Sequence, residues 1–173
     1  MKGLRAALGC LTIVPVGGQG TAAQEFGAAL LWFPLVGLGI GVVLVGCAWV
    51  ASLWWQPLVV SALVLVAWIV VTGALHLDGL GDYCDAWYGG QTPTERLHIM
   101  KDPHVGAIGV VAIMAVLLLK FGALSSLLLT QHYRALVLAP CLARYAMVVV
   151  GTSLPYARAE GGTAMPFLRA KPL

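Results

Sequence analysis

No charged side chain occurs between residues 26 and 75, and the polar-aromatic break Trp54-Trp55-Gln56-Pro57 divides this stretch in two. Each part is about 20 residues long, the length an α-helix needs to cross a bilayer. Two further apolar runs follow at 105–129 and 135–154, separated by the short polar segment 130–134. The pattern predicts four membrane-spanning helices. Backbone groups in lipid must be satisfied within each span, and no alternating barrel strands occur, so the expected fold is all-α: a polytopic integral membrane helical bundle. Residues 1–173 read as a single membrane domain. The most polar part of the chain, residues 76–104, is expected to form a short cytosolic helix and the catalytic loop.

Composition supports the same solvent. Hydrophobic residues make up 60% of the chain and charged residues 10%, against about 45–50% and about 25% in soluble domains. A lipid bilayer is therefore the expected partner. With the amino terminus cytosolic, Lys2, Arg5, Arg96, Lys101, Arg158, Arg169 and Lys171 all fall inside, and Arg134 alone falls outside, as the positive-inside rule requires. The predicted location is the cell (inner) membrane, multi-pass. A net charge of +3 spread over separate loops argues against a nucleic-acid partner. Residues 1–16 lack a signal-peptidase site and read as an interfacial amphipathic segment. Cys10, Cys47, Cys84 and Cys141 are scattered, which implies neither a disulfide framework nor a thiolate metal site.

The chemistry concentrates after the second apolar run. Asp78, Asp82 and Asp85 stand at i, i+4 and i+7, within roughly 60° of one another on a helix. Like charges held so close call for a cation. A hard divalent ion such as Mg²⁺, shared with a phosphate-bearing substrate, suits three carboxylates. Gly79 and Gly81 weaken that helix and let either a diphosphate or a neighbouring helix approach. Gly89-Gly90 ends it, and Thr92-Pro93-Thr94-Glu95 reads as a capping box that starts a short helix running to about Lys101. The segment Lys101 to Gly109 then re-enters the membrane through Pro103, Gly106 and Gly109, a second polar knot placed to lie beside the first. His98, His104 and His132 have no metal-site spacing of their own. Within the spans, Lys120 and Arg144 are each expected to face the bundle interior or to snorkel; Lys120, nearer the outer end, can reach the interface by itself, and Arg144 is the better functional candidate. Gly37 and Gly41 form a small-xxx-small pair suited to helix contact.

Three ordered stretches carry a family resemblance. Gly73-Ala74-Leu75-His76-Leu77-Asp78-Gly79-Leu80-Gly81-Asp82-Tyr83-Cys84-Asp85, Ile99-Met100-Lys101-Asp102-Pro103-His104-Val105-Gly106 and Tyr156-Ala157-Arg158-Ala159-Glu160-Gly161 resemble the successive signatures of the cobalamin synthases, the adenosylcobinamide-GDP ribazoletransferases. Phe33-Pro34-Leu35-Val36-Gly37 resembles that family's early membrane segment. The resemblance implies a Mg²⁺-dependent membrane transferase of the phosphotransferase type, acting in the last steps of cobalamin biosynthesis. A hydroxyl of α-ribazole, or of its 5′-phosphate, attacks the diphosphate of adenosylcobinamide-GDP, giving adenosylcobalamin or its phosphate and releasing GMP.

Carried onto this chain, the resemblance makes Asp78 and Asp82 ligands of Mg²⁺, with Asp85 completing the metal site or serving as the base. Lys101 becomes a phosphate contact and Asp102 a metal-site contributor, although an exposed ion pair explains Asp102 equally simply and Lys101 less well. Arg158 and Glu160 match the third signature, Arg158 as a phosphate clamp or a membrane-side anchor. His76 opens the first signature but projects away from the carboxylates, toward substrate or a helix-end hydrogen bond. Family members continue with further membrane helices and another Asp-containing motif, so a chain ending at Leu173 is expected to be an amino-terminal portion, inactive if the missing part walls the site. Oligomerisation is left open. Two other readings compete: an Asp-rich membrane transferase moving a prenyl or phosphatidyl group, and an ion carrier lined by the acidic helix end.

Overall fold

A computed structural model describes residues 2–16 and 28–157, and the regular structure within them is entirely helical. In chain order the helices are α1 (Lys2–Leu11), α2 (Phe33–Ala51), α3 (Pro57–Val71), α4 (Leu75–Gly89), α5 (Pro93–Ile99), α6 (Ala107–Leu129) and α7 (Tyr133–Ser153). Three stretches, Ala28–Ala51, Ala107–Leu129 and Tyr133–Ser153, are long and apolar enough to cross a membrane, and α3 with α4 makes a fourth if the bent pair counts as one span. The all-α membrane bundle expected from the sequence is the fold observed. Helix α1 buries Gly3, Ala7 and Leu11 on one face and packs against α2.

The tightest seam joins α2 to α7. Phe33, Val36, Ile40, Leu44 and Ala48 recur at three- and four-residue spacing and are buried along α2, while Val42, Val43 and Trp49 on other faces stay exposed, as lipid-facing residues do. Gly37 and Gly41 lie against the backbone of α7: a Cβ on Gly37 would meet the Pro140 carbonyl oxygen, and one on Gly41 that of Val137. The small-residue pair thus lets two helix backbones touch, which maximises dispersion contact where lipid supplies no hydrophobic drive. Pro140 sits inside α7 and is buried at that seam.

The second span departs from expectation. A helix of about 20 residues was expected, but α3 has 15 residues and α4 leaves it at an angle of 84°. Gly73 (φ 60°) and Ala74 (φ 57°) are both left-handed. The Gly73 N–H donates to the Val70 carbonyl and the Ala74 N–H to the Ile69 carbonyl, each at 3.0 Å, the paired bonds of a Schellman stop. Gly73 is an ordinary helix-ending glycine. The acidic stripe therefore belongs to a separate helix rather than to the continuation of a span.

Helix α4 is laid along α6. Gly81 packs against Ile113 and Val105, and four residues later Asp85 reaches the start of α6. One Asp85 oxygen accepts the Gly106 N–H at 2.7 Å and the other the Gly109 N–H at 2.8 Å. Gly106, the N-cap of α6, has no side chain with which to cap, so Asp85 supplies the acceptor and a negative charge for the helix dipole. A Cβ at Gly106 or Gly109 would collide with the Asp85 carboxylate. Contacts step backward along α6 as α4 advances, so the two run antiparallel. The polar knots are brought together as the sequence suggested.

Helix α5 packs on α4 and begins with the expected capping box, Thr92 accepting from the Glu95 N–H while Glu95 accepts from Thr92 and Gln91. These backbone donors hold the Glu95 carboxyl below its usual range. Arg96 lies over the Trp87 ring at 4.4 Å and its Nε donates to the Gly90 carbonyl, fixing the turn between the helices.

Two measurements check these joints. Gly41→Ala is expected to lower stability to unfolding in mixed micelles by about 1–3 kcal/mol. Gly39→Ala, whose Cβ would meet nothing within 4 Å, should be neutral or slightly stabilising. Asp85→Ala and Gly106→Ala should each cost about 1–3 kcal/mol by leaving amides of α6 unpaired, and the double variant should be little worse than either single one, since the atoms a Cβ at Gly106 would meet are those of Asp85. Fully additive losses would mean that the carboxylate and this amide are not partners.

Candidate functional site

The carboxylate face of α4 is open at one end and engaged at the other. Asp78 is exposed, and Asp82 and Asp85 are half-buried. Asp85 falls about 40° from Gly81 around the helix, at the edge of the α6 contact, where its oxygens meet the α6 amides; Asp78 lies about two turns earlier along α4, and Asp82 is turned furthest from Gly81, by about 100°. Among the described residues, no group of three or more His, Cys, Asp or Glu side chains is gathered to hold a metal ion. The three-carboxylate cage expected from the stripe is therefore not assembled: Asp85 is turned onto the α6 terminus. The two glycines also separate. A Cβ at Gly81 would press on Ile113, whereas Gly79 has nothing within 4 Å, so close packing accounts for Gly81 and open approach for Gly79.

The second polar segment ends on this face through Gly106. Lys101 and Asp102 are exposed, and Asp102 accepts from the His104 backbone N–H at 3.0 Å and meets the His104 ring Nδ1 at 2.6 Å. The backbone donor, and then the ring, hold the Asp102 carboxyl below the usual carboxylate range. The Asp102 carboxylate orders the bend that leads the chain into α6. Arg158 and Glu160 lie outside the described residues.

His76 projects away from the carboxylates, as helical phase requires. Its Nε2 is 3.4 Å from the Met147 sulfur on α7, and it lines a cavity of about 290 Å³ with Trp68, Thr72, Lys120 and Arg144. Of the two directions open to Lys120, interior or interface, it takes the interior: its Nζ lies over the Trp68 ring at 4.5 Å. Arg144 is buried, at 3% exposure, as its place in the middle of an apolar helix suggested. That these two cations and His76 share one cavity was not evident from the sequence. The single signal, charge inside apolar runs, gives no pairing between helices.

Comparison with known proteins follows the same residues. Residues 3–172 match the family model described as cobalamin-5-phosphate synthase. A relative in Pseudomonas paraeruginosa strain PA7, named adenosylcobinamide-GDP ribazoletransferase, is 49% identical over 161 residues, covering 91% of this chain and 65% of that protein. Relatives of the same name in Chlorobium phaeobacteroides strain BS1 and Stutzerimonas stutzeri strain A1501 are 40% and 44% identical, covering 92% and 91% of the chain and 64% and 65% of their own lengths. The chain thus spans just under two thirds of the curated relatives it matches. No solved structure matches it. By the extent of the family match and the identity to these relatives, the chain belongs to the cobalamin-5-phosphate synthase family.

Proposed function

We propose that the protein carrying this chain is a membrane transferase that joins adenosylcobinamide-GDP to α-ribazole or its 5′-phosphate. The observation that carries this reading is the carboxylate face of α4, docked on the α6 amino terminus within a chain of this family. The stripe also sits where the Lys and Arg distribution places the cytosol. In the proposed reaction a hydroxyl of α-ribazole attacks the corrinoid-side phosphorus, the bond to the bridging oxygen breaks, and GMP leaves with that oxygen. Adenosylcobalamin or its phosphate remains. A cell inner membrane location with the 76–104 segment cytosolic belongs to the same reading.

The donor set fits Mg²⁺. Carboxylate oxygens are hard ligands, and this ion is commonly held by one or two carboxylates plus substrate phosphates rather than by an all-protein cage, so Asp78 and Asp82 suffice without Asp85. When bound, the ion supplies charge neutralisation on the diphosphate. Asp85, with both oxygens on backbone amides, acts as a positioning residue that holds the α4 face against α6. Whichever of Asp78 and Asp82 faces the incoming hydroxyl can take its proton. Lys101, exposed on the segment that ends at Gly106, is the proposed contact to a phosphate oxygen, and Asp102 keeps that segment bent. Gly79 leaves the backbone of α4 open to the diphosphate. Arg158 and Glu160 remain proposed substrate contacts from the third signature.

The test uses membranes containing the whole gene product, supplied with adenosylcobinamide-GDP, α-ribazole and Mg²⁺. GMP release should match cobalamin formation one for one, and chelation should abolish both. Asp82→Asn and Asp78→Asn should each lower kcat by about 100-fold or more with insertion into the membrane unchanged. Full turnover in both variants would remove the stripe from the mechanism.

A further inference from the structure

We propose that the cavity between α3, α4, α6 and α7 is an oxyanion site that binds a phosphate group through Arg144 and Lys120. The first observation is Arg144 itself. It lies about 17 Å along α7 from Tyr133, is 97% buried by its 3% exposure, and its Nε and Nη2 have no hydrogen-bond partner among the described residues. Those two nitrogens form one edge of the guanidinium fork, the edge that takes a carboxylate or phosphate with two parallel bonds. A cationic edge buried at membrane depth without an acceptor is costly, so this edge calls for a counter-charge.

The second observation is the surroundings. Lys120 lines the same cavity, and two cations in an apolar space repel unless an anion lies between them. The described carboxylates are committed elsewhere or face another way. Asp85 holds the α6 amides, Glu95 the α5 cap, and Asp102 His104, while Asp78 and Asp82 lie on the face of α4 opposite His76. The Thr72 hydroxyl donates to the Trp68 carbonyl and supplies no charge. A volume of about 290 Å³ admits a phosphate group with room for its ester, and two positive charges match a phosphate monoester or one end of a diphosphate. The ligand chemistry is thus a phosphate, carried either by a soluble nucleotide or diphosphate or by an anionic lipid headgroup. This site stands whether or not the carboxylate stripe is catalytic.

The test is binding by the full-length protein with EDTA present, which removes metal-bridged binding at the carboxylates. In neutral detergent, pyrophosphate and GMP are titrated by calorimetry, and their effect on Tm is followed. In nanodiscs, phosphatidylglycerol is compared with phosphatidylcholine. Saturable binding in detergent assigns the soluble source, and stabilisation confined to phosphatidylglycerol assigns the headgroup. In either case Arg144→Gln should weaken binding at least tenfold and Lys120→Gln severalfold. Arg144→Lys should recover only part, because an ammonium lacks the fork, and Arg134→Gln in the first turn of α7 should change nothing. If Arg144→Gln does not fold, Lys120→Gln carries the test. No response to any probe, or equal affinity in the variants that fold, overturns the site.

Discussion

The Asp85 carboxylate on the amino terminus of α6 is the joint on which the rest of the polar architecture hangs. A helix that begins in an apolar surrounding exposes amide hydrogens that lipid cannot satisfy. Here the N-cap is glycine, and the acceptor arrives from another helix. That choice has two consequences. It requires glycine at 106 and 109, because any Cβ there would occupy the space of the carboxylate. It also fixes the rotation of α4, and with it the direction of the remaining stripe residues. The third carboxylate of the stripe thus orients the other two.

Helix α4 has two electrostatic faces. Asp78 and Asp82 stand on one, and His76, on the other, borders the cavity that holds Lys120 and Arg144. The elbow at Gly73 and Ala74 turns α4 so that His76 and Leu77 line that cavity together with Trp68, Ile69 and Thr72 near the end of α3. Ala74 holds a left-handed conformation that favours glycine, a cost of about 1–2 kcal/mol sustained by the paired carbonyl bonds of the stop. Strain of this kind at an element boundary marks a geometry the surroundings over-determine.

Much of this was legible in the residues. The hairpin break at Trp54 to Pro57, the limits of α6 and α7, and the Thr92–Glu95 box all appear where pattern placed them, because each depends on local propensity and burial alone. The elbow was legible too, since Gly73 after an apolar run is a standard stop. Weighing the uncharged run by its length concealed that signal. The fate of Asp85 was harder to read. Spacing shows that three carboxylates share a face, but not that a neighbouring helix will arrive with uncapped amides at one edge of it. The direction of Lys120 stayed open for a related reason: its distance from a helix end allows snorkelling, and position in the chain does not show that Trp68 of another helix stands within reach.

The α2–α7 seam extends the argument from α4 to the whole bundle. Gly37 and Gly41 bring the two backbones into contact beside Val137, Pro140 and Cys141, one turn before Arg144. That contact sets the depth and rotation of α7, and with them the direction of a guanidinium with no freedom to snorkel. A looser seam would let α7 turn and carry Arg144 toward lipid, where the desolvation cost opposes it. Small residues at one interface and charge at another are thus coupled through one rigid helix: the glycines determine where the buried cation points, and the α4–α6 joint determines what faces it across the cavity.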